Sequence, residues 1–150
     1  MATVENILIV EARFYDDIAD ALIDGATAVL DSAGANYERL QVPGAFEIPA
    51  TIGFAARNPE VATYDGFIGL GCVIRGQTTH YDYVCTESAR GLQDLAVREG
   101  LAIGYGILTC ENHQQALSRA RRDKYDRGGA AARACLAMIE IKQGFVLSSS

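Results

Sequence analysis

A short stretch near the middle of the chain, residues 71–84 with the sequence GCVIRGQTTHYDYV, carries the side chains best suited to proton transfer. It contains His80, one of two histidines in the protein. We expect His80 in the first turn of a helix, where the positive end of the helix dipole disfavours a charged imidazolium. A neutral imidazole there can take up or release protons during a reaction. A histidine that only caps and packs a helix start has the same local pattern, so the local sequence leaves both interpretations open.

The turn just before His80 offers a place for a phosphate group. Gly76, Gln77, Thr78 and Thr79 supply backbone amides and hydroxyls at the predicted start of a helix, and such a terminus favours anions. Thr79 with Asp82 three residues later resembles a capping box, so both threonines can equally serve only as caps. The turn matches neither a P-loop nor a dinucleotide-binding glycine pattern.

A second candidate for anion binding is the charged stretch at residues 118–129, SRARRDKYDRGG. It is the most basic segment of an otherwise acidic chain. An arginine here, such as Arg119, can hold an anion through two parallel hydrogen bonds. Most such stretches are solvated surface, and the sequence alone does not distinguish the two.

Other candidate residues follow predicted strands. Phe14, Phe46 and Tyr105 are aromatic, and such rings are usually core, although at a strand end one can stack on a planar ligand. Glu47 begins a predicted helix, where a carboxylate can cap the helix or accept substrate hydroxyls. His113 is expected as an exposed helix residue. The four cysteines are expected to be buried thiols rather than nucleophiles, because no base is evident beside them.

Alternating strand and helix patterns must position these residues. Strands are predicted at 6–10, 36–42, 66–74 and 101–108, with 36–42 nearer an edge. Helices are predicted from Asp16 or Asp17 to Gly34, at 47–57, from Thr79, through Ala116 and Leu117, and at 130–142. This order predicts one domain at 1–150, a flavodoxin-like three-layer α/β/α sandwich with a four-stranded parallel sheet, and loose tails at 1–5 and 146–150. The loops at the carboxyl ends of parallel strands then gather at one edge, where ligands bind.

Composition excludes several classes of protein. A net charge of −6 and a pI near 4.8 argue against nucleic-acid binding. No apolar run approaches the ~20 residues of a membrane span, and the N-terminus lacks the basic region of a secretory signal. Four widely spaced cysteines, Cys72, Cys85, Cys110 and Cys135, indicate reduced thiols, so a cytoplasmic location is expected.

Four segments together resemble the lumazine synthase family of riboflavin biosynthesis. They are RF at 13–14, VPGAFEIP at 42–49, GCVIRGQTTHYDYVC at 71–85 and GILTCEN at 106–112. The resemblance implies a transferase that condenses 5-amino-6-(D-ribitylamino)uracil with 3,4-dihydroxy-2-butanone 4-phosphate. The products are 6,7-dimethyl-8-ribityllumazine, phosphate and water. It implies no cofactor and no metal. A carrier or sensor that binds lumazine or flavin without turnover is the alternative.

The resemblance also implies a role for each matching position. Phe14 stacks on the pyrimidine, and His80 transfers protons. The remaining substrate contacts are expected from Gly44, Ala45, Phe46, Glu47, Cys72, Val73 and Ile74. Gly76, Gln77 and Thr78 bind the phosphate. Tyr105 and Arg119 complete the site from a neighbouring subunit, Arg119 by holding the phosphate.

Members of this family form pentamers, and some assemble twelve pentamers into a shell. The family commonly has a turn close to GTKAGNKG after the position of Arg119, and this chain has RRDKYDRGG there. The altered turn favours a free pentamer over a shell, with two pentamers face to face as the next possibility, and it leaves open whether Lys124 replaces the family's lysine.

Overall fold

The structure is a computed structural model that describes residues 4–61 and 63–148. In chain order the elements are β1 (Asn6–Ala12), α1 (Asp16–Ala33), β2 (Asn36–Val42), the single 3₁₀ turn Ala45–Glu47, α2 (Ile48–Ala56), β3 (Gly66–Ile74), α3 (His80–Glu99), β4 (Ile103–Cys110), α4 (His113–Ala120) and α5 (Arg127–Ser148). The four strands form one sheet in the order β2-β1-β3-β4, and every pairing is parallel. The predicted parallel α/β architecture and the edge position of β2 are confirmed.

Two apolar clusters cover the two faces of the sheet, which gives the predicted three layers. On one face Ile7 and Ile9 of β1 pack with Leu22 of α1 and with α5. On the other face Leu8 and Val10 pack with α2 and α3. Because successive side chains of a strand point to opposite faces, β1 must be apolar at nearly every position to serve both clusters. The continuous run in its sequence is therefore the signature of a central strand.

Several element boundaries differ from the prediction. Strand β1 continues to Ala12 instead of ending at Val10, because the buried Glu11 is paired with arginines. The N-cap of α1 is Tyr15 and makes no side-chain cap hydrogen bond, although Asp17 Oδ1 accepts one from the amide of Ile18 at 2.8 Å. Gly34 ends α1 as predicted, in the left-handed region at φ 72°.

The predicted capping box at the start of α3 is wrong. Thr79 is the N-cap, but its backbone is already helical and its side chain makes no cap hydrogen bond. Instead, Thr78 Oγ1 accepts a hydrogen bond from the amide of His80 at 3.3 Å. A local pattern of Thr and Asp three residues apart does not decide which threonine turns toward the helix.

Helix α5 begins at Arg127 and ends at Ser148, whereas 130–142 was predicted. Its start depends on Asp126, which adopts φ 47° and accepts a hydrogen bond from the amide of Gly129 at 3.2 Å. Of the predicted loose tails, residues 1–3, 149 and 150 lie outside the described residues. Residues 146–148 form the last turn of α5.

Candidate active site

A cavity of about 640 Å³ opens at the carboxyl ends of β1, β2 and β3, beside the start of α3. Its walls come from three chain segments that are far apart in sequence. The lining residues are Phe14, Tyr15, Pro43, Gly44, Ala45, Phe46, Glu47, Cys72, Val73, Ile74, Gly76, Thr78, His80, Tyr81, Tyr83 and Val84. This is the sheet edge at which the parallel topology gathers its loops.

Most of the predicted site residues therefore meet in one place. The exceptions are Gln77, Tyr105 and Arg119, which do not line the cavity of this chain. Sequence reasoning missed Tyr15, Pro43, Tyr81, Tyr83 and Val84 as lining residues. Tyr81 and Val84 lie near the start of α3, so this end of the helix also forms part of the cavity wall.

His80 is the first residue of α3 and is exposed toward the cavity. Its backbone amide is engaged by Thr78, while the imidazole projects from the positive end of a 20-residue helix. Gly76 precedes it in the same turn, and among the described residues no atom beyond its two chain neighbours lies within 4 Å of where a Cβ would stand there. The turn can therefore admit a bulky anion next to an imidazole.

Exposed aromatic rings surround the cavity. Phe14 is 73% exposed, Phe46 57% and Tyr83 68%, which are high values for large rings that line one cavity. Phe14 packs edge to face against Tyr15 with ring centroids 4.9 Å apart. A planar ligand can therefore stack on faces that the chain itself leaves open.

Glu47 occupies the N-cap position of α2 but makes no side-chain cap hydrogen bond, and it is exposed. The sequence left two roles open for Glu47, and its side chain does not adopt the capping role. Its carboxylate lines the cavity and is available to accept hydrogen bonds from hydroxyl groups.

All four cysteines are free thiols, Cys110 and Cys135 buried and the other two partly buried. Burial raises the pKa of Cys72, which lines the cavity, to about 12. The pKa values of Cys85 and Cys110 are raised as well, mainly by burial. A thiol that stays protonated is a poor nucleophile, which supports the prediction that these cysteines do not attack a substrate.

Tyr105 and Arg119 lie outside the cavity. Tyr105 on β4 is 44% exposed. Arg119 on α4 donates to the carbonyl of Gln115 at 3.3 Å, and its guanidinium lies 5.3 Å from the centre of the Tyr125 ring. Neither residue therefore belongs to the wall of the cavity in its own chain.

His113 is exposed as predicted, at the start of α4. The sequence did not predict its partner, because the two residues are far apart along the chain. Its Nε2 lies 2.7 Å from Asp17 Oδ2, and its ring packs edge to face near Tyr15. The pair thus links the starts of α1 and α4 beside the loop that carries Phe14.

Comparison with known proteins identifies the family. A family model described as 6,7-dimethyl-8-ribityllumazine synthase matches residues 5–143. The chain belongs to the 6,7-dimethyl-8-ribityllumazine synthase family. A relative from Rhizobium meliloti (strain 1021), named 6,7-dimethyl-8-ribityllumazine synthase 1, is 61% identical over 140 residues, covering 92% of each chain. Lumazine synthases from Agrobacterium fabrum (57% identical, 92% of this chain and 95% of the relative) and Bartonella henselae (52%, 93% and 90%) are similar over the same extent.

Within the described residues, no helix has both the length and the hydropathy needed to span a bilayer. Over the same ranges, no three His, Cys, Asp or Glu side chains are grouped so as to hold a metal ion. The cavity itself contains a histidine, a carboxylate, aromatic faces and a turn with several backbone amides. These are the kinds of group that the family resemblance implies.

A buried ion-pair network supports the loop that carries Phe14. Glu11, at 1% exposure, accepts hydrogen bonds from Arg13 at 2.9 Å and from Arg39 of β2 at 2.7 and 2.9 Å. Arg13 also pairs with Asp20 of α1. Burial alone would raise the pKa of Glu11, but the hydrogen bonds from Arg39 and Arg13 outweigh it, so the pKa is lowered.

We expect Glu11→Gln to reduce the free energy of unfolding by about 2 kcal/mol at neutral pH, because it leaves two arginines without their shared partner while Arg39 remains partly hydrated. The folded-state pKa of Glu11 lies below its ordinary value of 4.5, so its contribution is complete above that pH and is lost as pH falls through the folded pKa. Urea unfolding of both proteins should therefore give a constant difference from about pH 8 to about pH 5 and a shrinking one below. A difference that grows on acidification contradicts this assignment.

Proposed function

We propose that the chain catalyses the condensation of 5-amino-6-(D-ribitylamino)uracil with 3,4-dihydroxy-2-butanone 4-phosphate. One observation carries the proposal: His80, the Gly76–Thr78 turn and the open face of Phe14 line one cavity in a chain of this family. The cavity, about 640 Å³, is within the range of pockets that enclose small organic ligands.

In this proposal each group of residues binds a different part of the two substrates. Phe14 stacks on the pyrimidine, whose edge is held by the backbone at Cys72, Val73 and Ile74. The Glu47 carboxylate and the backbone at Gly44, Ala45 and Phe46 hold the ribityl chain. Gly76, Gln77 and Thr78 bind the phosphate through backbone amides and a hydroxyl, which explains why Gln77 need not turn its side chain into the cavity.

The chemistry follows from these positions. The pyrimidine amine attacks the ketone and loses water to form an imine. Elimination then releases phosphate, and closure of the second ring releases another water. Each step moves protons between neighbouring groups, so one imidazole at His80 can serve as both acceptor and donor. Holding both reactants in place supplies much of the remaining rate, and no cofactor is needed.

The decisive assay mixes purified protein with both substrates and follows lumazine absorbance. Turnover well above the spontaneous condensation is the expected result. Binding of the lumazine product without any acceleration would contradict the proposal and would instead identify a carrier or sensor.

The active protein in this proposal is a homopentamer whose sites are shared between neighbours. Support comes from Tyr105 and Arg119, which lie outside the cavity of their own chain although the family resemblance assigns them to the site. A neighbouring subunit can bring both to the open side. The location proposed for this enzyme is the cytoplasm, where its four free thiols stay reduced.

Mixing two impaired variants tests the shared site. His80→Ala and Arg119→Met should each be impaired, but co-refolded in equal amounts they should recover about a quarter of wild-type activity, because one junction in four pairs an intact His80 with an intact Arg119. Each variant refolded alone is the matched control. No recovery in the mixture contradicts a site shared in this way.

A free pentamer is proposed rather than a shell, because the turn after α4 is tied into its own chain. Arg121 pairs with Asp123 at 2.7 Å, and Arg122 with Asp24 of α1 at 3.6 Å. Lys124 is exposed in that turn. Light scattering should give the mass of about five chains, and a mass near sixty chains contradicts the proposal.

A further inference from the structure

Arg75 is a charged residue beside the candidate phosphate turn to which the roles above assign no function. It follows the last residue of β3 and precedes Gly76. Its backbone amide donates to the carbonyl of Cys110 at 2.9 Å, which continues the pairing of β3 with β4 by one residue. Its side chain is 43% exposed and does not line the cavity.

The guanidinium of Arg75 contacts two separate segments. Its Nε donates to Glu111 Oε2 at 2.9 Å, in the connection between β4 and α4. Its Nη1 lies 3.6 Å from Asp82 Oδ1, in the first turn of α3. The guanidinium also stacks on Tyr81, 4.3 Å from the ring centre. Only an arginine offers a flat face and several donors at once.

These contacts bracket the turn at residues 76–78. At one end the turn leaves a backbone paired to Cys110, and at the other it enters the helix turn that carries His80, Tyr81 and Asp82. Arg75 joins the β4–α4 connection to the first turn of α3. Its contacts therefore surround residues 76–78. Tyr81 lines the cavity, so the stacking also sets part of the cavity wall.

Charge gives the same side chain a second effect. Glu111 and Asp82 place two carboxylates near the turn, and unpaired carboxylates repel a phosphate dianion. Arg75 pairs with both. Arg75 thus helps the turn keep its shape and offsets one of the two negative charges beside it, while Arg75 itself stays outside the cavity.

We propose that Arg75 is a positioning residue for the phosphate of the substrate, acting through Glu111, Asp82 and Tyr81 rather than by touching the phosphate. The proposal rests on the proposed function, because it concerns the phosphate-bearing substrate of that reaction. It predicts a selective effect on that substrate and a strong coupling between Arg75 and Glu111.

The test measures KM for each substrate, kcat, and inhibition by inorganic phosphate in wild type, Arg75→Met, Arg75→Lys, Glu111→Gln and the double variant Arg75→Met/Glu111→Gln. We expect Arg75→Met to raise KM for the butanone phosphate about tenfold, to weaken phosphate inhibition similarly, and to change KM for the pyrimidine less than about twofold. For Arg75→Lys, KM for the butanone phosphate should lie between the values of wild type and Arg75→Met, because lysine keeps the charge but not the flat face.

The double variant separates positioning from direct contact. If Arg75 acts through Glu111, Arg75→Met costs several-fold less in the Glu111→Gln background than alone. If Arg75 instead contacts the phosphate, Arg75→Met costs at least as much in that background, since removing Glu111 frees the guanidinium. That outcome overturns the proposal.

Arg90→Met is the matched control. Arg90 lies on the same helix as Asp82 and pairs with Glu87 and Asp94 within that helix, away from the cavity. The Arg90→Met substitution removes the same charge as Arg75→Met and should leave both KM values unchanged. Thermal melting checks that each variant folds, and the KM values of Arg75→Lys remain decisive if Arg75→Met does not fold. An active wild type with unchanged KM values in Arg75→Met and Arg75→Lys overturns this inference alone, whereas an inactive wild type overturns the proposed function.

Discussion

Replacing His80 with alanine is expected to lower kcat by roughly two orders of magnitude, the lower end of what general acid–base catalysis supplies. Both KM values should change little, because Phe14, Glu47 and the turn at 76–78 provide the binding surface and remain in place. Steady-state lumazine formation with each substrate varied in turn separates the two parameters.

His80→Gln is the matched control for this prediction. Glutamine keeps a hydrogen-bonding side chain of similar length but does not exchange protons near neutral pH, so it should be as slow as the alanine variant. A glutamine variant with full activity would mean that His80 contributes a hydrogen bond alone. An alanine variant as fast as wild type removes His80 from the mechanism.

The largest effect on stability is expected from Gly104→Ala. Gly104 lies in β4 beneath α5, and a Cβ there would stand 2.1 Å from the carbonyl oxygen of Ala131 and 3.1 Å from Cys135 Cβ. The nearest obstacle is helix backbone, which cannot rotate away as a side chain can. Helix α5 must therefore move off the sheet, at a cost of about 3 kcal/mol.

Urea unfolding at one fixed protein concentration measures this cost, since assembly shifts apparent stability. Gly144→Ala in the same helix α5 is the control, because among the described residues no atom outside the nearby backbone of α5 lies within 4 Å of a Cβ at Gly144. There the added methyl should be neutral or stabilise by up to about 1 kcal/mol, as alanine favours a helix interior. Equal midpoints for the two variants would show that α5 tolerates displacement from β4.

Two of the boundaries that sequence reasoning misplaced share one physical cause. Glu11 is a charged residue after an apolar run, and local rules end a strand there. In the fold, Arg39 comes within 2.7 Å of its carboxylate from 28 positions away. The strand therefore continues to Ala12, since a paired carboxylate can be buried where an isolated one cannot. The start of α5 is a similar case. It depends on a hydrogen bond to Asp126 in a turn whose conformation the tertiary packing sets.

The sequence by itself determined the parallel α/β architecture, the edge position of β2 and most residues of the cavity. Apolar periodicity reports burial directly, and parallel topology brings the carboxyl ends of strands to one edge, so Phe14, Glu47 and His80 were predictable as neighbours. Only the tertiary structure decided that Glu47 leaves its helix uncapped, that Thr78 rather than Thr79 holds the His80 amide, and that Arg75 joins Glu111 to the first turn of α3. These outcomes depend on which of several nearby partners lies within about 3 Å, and hydrogen bonds fall off steeply beyond that distance. In residues 71–84, the sequence thus predicted the candidate reacting groups, and the fold decided which partners hold them.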